Sequence, residues 1–274
     1  MPFAETKPDY HVVDPSPWPV VGALGVFIMM VGAVFWLNGG YAGFGVLAGI
    51  PWIFAIGFAL AAFTAAGWWR DVVVESREGA HTPAVKLGFR YGMVLFLVAE
   101  AMFFAAWFWA WFHFALSSPA AGWPPPGVAV PDPWRVPLFA TVIMLTSITT
   151  LSWAGHAINA ADRTGTVLGL VVTAFLGAGF CAVTAWQLGH AGLPFGAASA
   201  RGAAAIYGSL YYLATGLVAA NVFAGTLFLL AATVRAVRGH FTPAGHFGFE
   251  AALWYWRFAV ALWLFFAAAV TLLG

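Results

Sequence analysis

YGMVLFLVAEAMFFAAWFWAWFHFA, residues 91–115, decides how this chain reads. The stretch is long enough to cross a bilayer as one helix, and it is apolar throughout except for a carboxylate at its midpoint, Glu100. On a helix Glu100 shares a face with Phe96, Phe103, Phe104 and Trp107, so its neighbours on its own helix are rings. An ionised carboxylate at that depth costs several kcal/mol. Glu100 is therefore expected to be protonated or paired with a group on another helix. Two roles are open to it: a functional acid within the membrane, or a neutral acid whose one hydrogen bond locks two helices together.

The composition around this stretch fits a membrane protein. Of 274 residues, 62% are hydrophobic and 8% charged, where a soluble domain carries about 25% charged residues. The 15 Trp and 26 Phe suit interface belts and lipid-facing helices. A net charge of +1 gives no basic surface of the kind nucleic acid requires, so no nucleic-acid partner is expected. The single cysteine, Cys181, excludes an intrachain disulfide and any cysteine-rich metal or cluster site.

Residues 1–17 are polar and Pro-rich, read as a cytoplasmic tail, and do not resemble a cleaved signal peptide. Span 1 covers 18–37 and is closed by Asn38-Gly39-Gly40; span 2 covers 46–69. A charged cytoplasmic loop is expected over 70–90, with Thr82-Pro83 inside it as a helix start. Span 3 is thus expected to outrun the membrane at its front end. Spans 4 to 7 follow at 136–157, 166–188, 204–234 and 251–273. Small-residue pairs such as Gly45/Gly49 and Gly165/Gly169 predict close helix approach. The domain reading is a tail (1–17), spans 1–2 (18–69), the loop (70–90) and spans 3–7 (91–274).

Orientation follows from basic residues in the loops. Lys7, Arg70, Arg77, Lys86, Arg90, Arg163, Arg235 and Arg238 fall on one side; Arg135 and Arg201 fall on the other. The N-terminus is expected in the cytoplasm and the C-terminus outside. Trp69, Glu75, His81 and Arg90 bracket the inner ends of spans 2 and 3, and Arg235 with Arg238 ends span 6. Mixed charges beside an aromatic ring suit a phospholipid headgroup, but on spacing alone ordinary anchoring at the inner face is the preferred reading. None of the seven histidines sits at a span centre or beside another on one helix face, so no metal or haem ligation is expected. Asn221, near the middle of span 6, is expected to bond across to another helix. Arg257, two turns after Glu250, is expected to snorkel to the interface.

Five blocks together resemble a known family: HVVDPSPWP (11–19), WWRDVVVESREGAHTPAVKLGFRYGMVLFLVAEAMFFAAWFWAWFH (68–113), GWPPPG (122–127), YGSLYYLATG (207–216) and HFTPAGHFGFEAALWYW (240–256). They are similar to subunit III of the haem–copper oxidases, in the seven-span form found in cytochrome c oxidase. The resemblance covers nearly the whole chain. It implies an all-α membrane protein of seven transmembrane helices, two and five of them arranged around a V-shaped lipid cleft. It implies that Glu100 is the buried carboxylate of that cleft, facing the catalytic subunit. Trp69, Glu75, His81, Arg90 and Arg235 match the positions that hold lipid headgroups. The implied function is that of a non-redox accessory subunit in an aa3-type proton-pumping oxidase, with no catalytic or metal-binding residue of its own. It would bind structural phospholipids and support proton uptake, stability and oxygen access. Implied partners are subunit I directly, subunit II in the same complex, and cytochrome c indirectly, with haem and copper held by the partner subunits. The Gly- and Ala-rich composition adds the expectation of a bacterial inner membrane.

Departures from the family pattern cluster late in the chain. ATGLVAANV stands where the family shows ATGFHG-x-HV, placing Val218 and Asn221 at two histidine positions. WYWRFAVALW stands for WYWHFVDVVW, giving Arg257 and Val260, and Gly155 replaces a histidine of WAHH. These changes are expected to remove polar groups at helix or lipid contacts. They leave open a divergent paralogue acting as an assembly or scaffold protein. An independent transporter or proton channel using Glu100 is a further alternative. Against it, there is no second titratable partner and no pair of broken helices.

Overall fold

A computed structural model describes residues 15–37, 49–79, 81–117, 122–128, 130, 132, 134–193, 202–243 and 245–273. Residues 1–14 of the expected tail, with Lys7 and His11, lie outside the described residues, as do the turn at 38–40, Gly45 and Arg201. Among the described residues, seven helices are formed: α1 (Trp18–Leu37), α2 (Trp52–Arg77), α3 (Pro83–Ser117), α4 (Val136–Asn159), α5 (Arg163–His190), α6 (Ala203–Val237) and α7 (Phe247–Leu273). All seven are long and apolar enough to cross a membrane. Large apolar side chains such as Phe27, Phe63, Met102, Phe139 and Phe175 face outward, an arrangement that lipid tolerates and water does not. The fold is all-α and membrane-spanning.

Helix boundaries differ from the hydropathy reading at the second span. α2 begins at Trp52, just after Pro51, and continues about two turns past 69 to Arg77. The charged segment RDVVVESR raises hydrophilicity but contains no helix breaker. The helix stops at Glu78-Gly79, where Gly79 takes φ +79°, a left-handed conformation that glycine adopts without penalty. At the other side Thr82 Oγ1 accepts from the Val85 N–H at 3.4 Å, and Pro83 opens α3 as expected. Most of the expected loop over 70–90 therefore belongs to α2 and α3. At 35 residues, α3 is about 50 Å long, beyond the roughly 30 Å of hydrocarbon it has to cross.

Packing divides the chain into two units, Met1–Phe89 and Arg90–Gly274, a division that falls within α3. In the first unit α1 lies on α2 through glycines. A β-carbon added at Gly32 would strike the Phe54 backbone, and one at Gly57 the Met29 backbone. The Trp18 indole covers Gly67 and donates to Asp71 Oδ2 at 2.6 Å. Gly49, expected as a packing glycine, instead occupies the turn before α2 with φ +77°.

In the second unit α4, α5, α6 and α7 each pack on two of the others, closing a ring. Trp256 and Trp263 of α7 fill its centre with Phe180, Met144, Leu151, Leu170 and Leu229. Their indoles donate to Ser147 at 2.9 Å and Thr141 at 3.0 Å on α4. Thr150 and Thr173 bond α4 to α5 at 2.8 Å. Gly169 of the expected pair does allow close approach, since an added carbon would meet Ala154 and the Thr150 carbonyl. Lipid supplies no hydrophobic drive between helices, so small residues and cross-helix hydrogen bonds hold them together. The part of α3 in this unit packs through rings: Trp111 on Tyr207 and Phe108 on Phe265.

Candidate functional site

Glu100 is half-buried at the middle of α3. Its carboxylate Oε2 accepts from Asn221 Nδ2 of α6 at 2.8 Å. Tyr255 of α7 donates its hydroxyl to the Asn221 backbone carbonyl at 3.3 Å. Phe96, one turn before Glu100, stacks on the Tyr255 ring with centroids 6.1 Å apart. Three helices of the second unit thus meet at one carboxyl. Phe104 turns inward beside Glu100 and is buried, whereas Phe103 is exposed and packs edge-on to Trp107.

Glu100 has a partner on another helix, and the oxygen that accepts from Asn221 can belong to a carboxylate or to a protonated carboxyl. Asn221 does bond across to another helix, as expected of a buried amide. That its partner is the acid was not legible from spacing, because α3 and α6 are separated by two intervening helices in the chain. One signal was available: each of these spans carries a single strongly polar side chain near its centre, and in hydrocarbon such groups find one another.

The departure at Asn221 is therefore no loss of a polar contact. Val218 and Val260 are fully buried in the apolar interior of the second unit. Gly155 faces Leu253 and Phe249 of α7. Arg257 is exposed and forms no pair with Glu250. Two turns of helix separate them by about 10 Å, and Glu250 is taken by Arg90 at 3.0 Å and by His246 at 3.5 Å.

The remaining expected site residues fall in different units. In the first, Trp69 is exposed, Glu75 is half-buried, and His81 packs edge-on to Phe89 with centroids 4.9 Å apart. In the second, the Arg90 guanidinium reaches both Glu250 oxygens, at 3.0 and 3.2 Å. The Arg235 guanidinium lies 4.7 Å above the Phe241 ring. Both arginines are held by neighbours on their own side of the membrane-spanning helices, an arrangement that orients a cation at the end of a span. Glu250 was missed as the partner of Arg90, since a pair 160 positions apart leaves no trace in local spacing.

Glu100→Gln is expected to leave the helices assembled, because the new amide carbonyl can still accept from Asn221 Nδ2. Wild-type yield and melting temperature in mild detergent would agree with this. A drop of more than about 2 kcal/mol, the scale of an unmet buried polar group, would show that the charged or acidic form is itself structural.

The family model described as "Cytochrome c oxidase subunit III" matches residues 8–274. Cytochrome c oxidase subunit 3 of Marchantia polymorpha is 41% identical over 268 residues, covering 96% of each chain. The Triticum aestivum protein of that name is 42% identical over 265 residues, with 95% of each chain covered. The one from Danio rerio is 39% identical over 265 residues, again with 95% of each covered. Seven spans, an acid held at mid-membrane and likeness along almost the full length agree, and the chain belongs to the cytochrome c oxidase subunit III family.

Proposed function

We propose that the chain is a non-redox accessory subunit of an aa3-type, proton-pumping cytochrome c oxidase in aerobic electron transport. It packs directly against subunit I, shares the complex with subunit II, and meets cytochrome c only through them. The observation that carries the reading is the Glu100–Asn221 pair: a polar contact at mid-membrane in a chain of this family. Haem and copper belong to the partner subunits. Supporting proton uptake, stability and oxygen access by subunit I is the role assigned to this chain.

Structural phospholipids are the ligands proposed for the inner ends of the spans. Trp69, Glu75 and His81 serve this in the first unit, and Arg90 and Arg235 in the second. The support is chemical: a cation fixed over a ring, as at Arg235, and a guanidinium with unused N–H groups, as at Arg90, suit a phosphate. The excess of basic residues on those loops supports an N-terminus in the cytoplasm and a C-terminus in the periplasm. The glycine-rich composition supports a bacterial inner membrane.

Purification through a tag on this chain in mild detergent, followed by a visible spectrum, tests the assignment. Haem a absorbance with co-eluting larger subunits is the expected result. A colourless protein eluting alone would overturn it, and proton flux in liposomes would then decide for a transporter. An oxidase whose turnover lifetime is unchanged by removal of this chain would favour the scaffold reading.

A further inference from the structure

We propose that Asn221 is a positioning residue for Glu100, one whose carboxamide holds the carboxyl in a single orientation in both of its protonation states. Asn221 Nδ2 donates to Glu100 Oε2 at 2.8 Å, while Asn221 Oδ1 is buried and has no hydrogen-bond partner among the described residues. A buried amide oxygen left unmet costs about 1–3 kcal/mol, and here the donor that would meet it is one proton away. An ionised carboxylate offers only acceptors and takes the Nδ2–H. A protonated carboxyl carries an O–H donor, and half a turn of the amide about its last side-chain bond brings Oδ1 to face it. The two amide ends have nearly the same shape, so the swap exchanges which end of the amide meets the carboxyl and which faces the apolar side.

The surroundings hold Asn221 in place on α6. Asn221 is 7% exposed. Its backbone carbonyl is engaged by the Tyr255 hydroxyl, so the main chain of α6 is tied to α7 at this residue. Tyr255 is the other titratable group set against Glu100, from α7, and Phe96 covers its ring from α3. A carboxamide takes no charge of its own. In this chain the pair therefore offers Glu100 a donor or an acceptor, and never a cation, on α6. Proton exchange at Glu100 can then proceed without displacing the α3–α6 contact.

The inference rests on the reading of Glu100 as a functional acid, but its test reads the carboxyl itself and needs no turnover. The tagged full chain, with whatever copurifies, is placed in lipid nanodiscs. Its carboxylic C=O stretch is recorded by infrared difference spectroscopy after pH steps, and Glu100→Gln identifies the band. In Asn221→Leu, close in size and without polar atoms, the band is expected to move to higher frequency as its hydrogen bond is lost. An unmoved band overturns the proposal. A second measurement needs no change at 221: with isotope-labelled asparagine, an amide band should shift together with the Glu100 band and vanish from the difference spectrum of Glu100→Gln. A labelled amide indifferent to Glu100 overturns the proposal even if Asn221→Leu fails to fold. If both shifts occur in a colourless, solitary protein, the oxidase assignment falls while the positioning role stands.

Discussion

Gly57→Leu is expected to separate α1 from α2. A β-carbon at Gly57 already overlaps the Met29 backbone nitrogen and comes to 2.5 Å of its Cα, and a leucine adds three more carbons. The obstructing atoms are main chain, so no side-chain rotation relieves the clash, and the helices must move apart. Gly32, which meets the Phe54 backbone, and Gly25, which meets the backbone at Ala61, lose their contacts in the same movement. Overpacking typically costs about 1–3 kcal/mol. Backbone-on-backbone overlap along a glycine seam places this variant at the upper end of that range or above. A marked fall in melting temperature in detergent and faster proteolysis within the first unit are the expected readings. Gly92→Ala is the control, since an added carbon there meets nothing within 4 Å. Wild-type stability of Gly57→Leu would mean that α1 and α2 do not approach at these glycines.

Trp256→Ala has a comparable effect for the opposite reason. Trp256 is fully buried at the centre of the α4–α7 ring. Two glycines make room for it: a β-carbon at Gly177 would come 2.5 Å from its ring, and one at Gly225 would come to 3.1 Å. Truncating a buried tryptophan costs about 3–5 kcal/mol, chiefly through the cavity left behind. Glycines cannot fill that cavity with side chains they lack. Set against a typical stability of about 5–15 kcal/mol, this is enough to lower the yield of folded protein severely. Trp256→Phe keeps most of the volume and forfeits the 2.9 Å bond to Ser147, a loss of about 1 kcal/mol. Thermal unfolding of both variants in one detergent gives the comparison. Equal destabilisation by Ala and Phe would assign the effect to the hydrogen bond instead of to packing.

Much of the molecule was determined by its sequence alone. Seven spans follow from hydropathy and length because an isolated backbone in hydrocarbon must satisfy its own hydrogen bonds, and a helix does so using neighbours along the chain. The start of α3 was legible for a similar reason: Thr82 caps and Pro83 begins a helix through atoms within three residues of each other. Glu100 announced that it needed a partner, since a carboxyl among rings has none on its own helix.

Tertiary structure decided what lies between distant parts of the chain. Asn221 as the partner of Glu100, Glu250 as the partner of Arg90, and Ser147 beneath Trp256 join residues more than 100 positions apart. Their pairing depends on how each helix is rotated and how deep it sits. The glycines behave alike: Gly49 and Gly57 look equivalent in composition, but one turns the chain and the other admits a backbone. The extension of α2 to Arg77 belongs here as well. Hydropathy marks where apolar side chains give way to charge, but a helix ends only where its backbone can no longer continue, which in this chain is at Gly79.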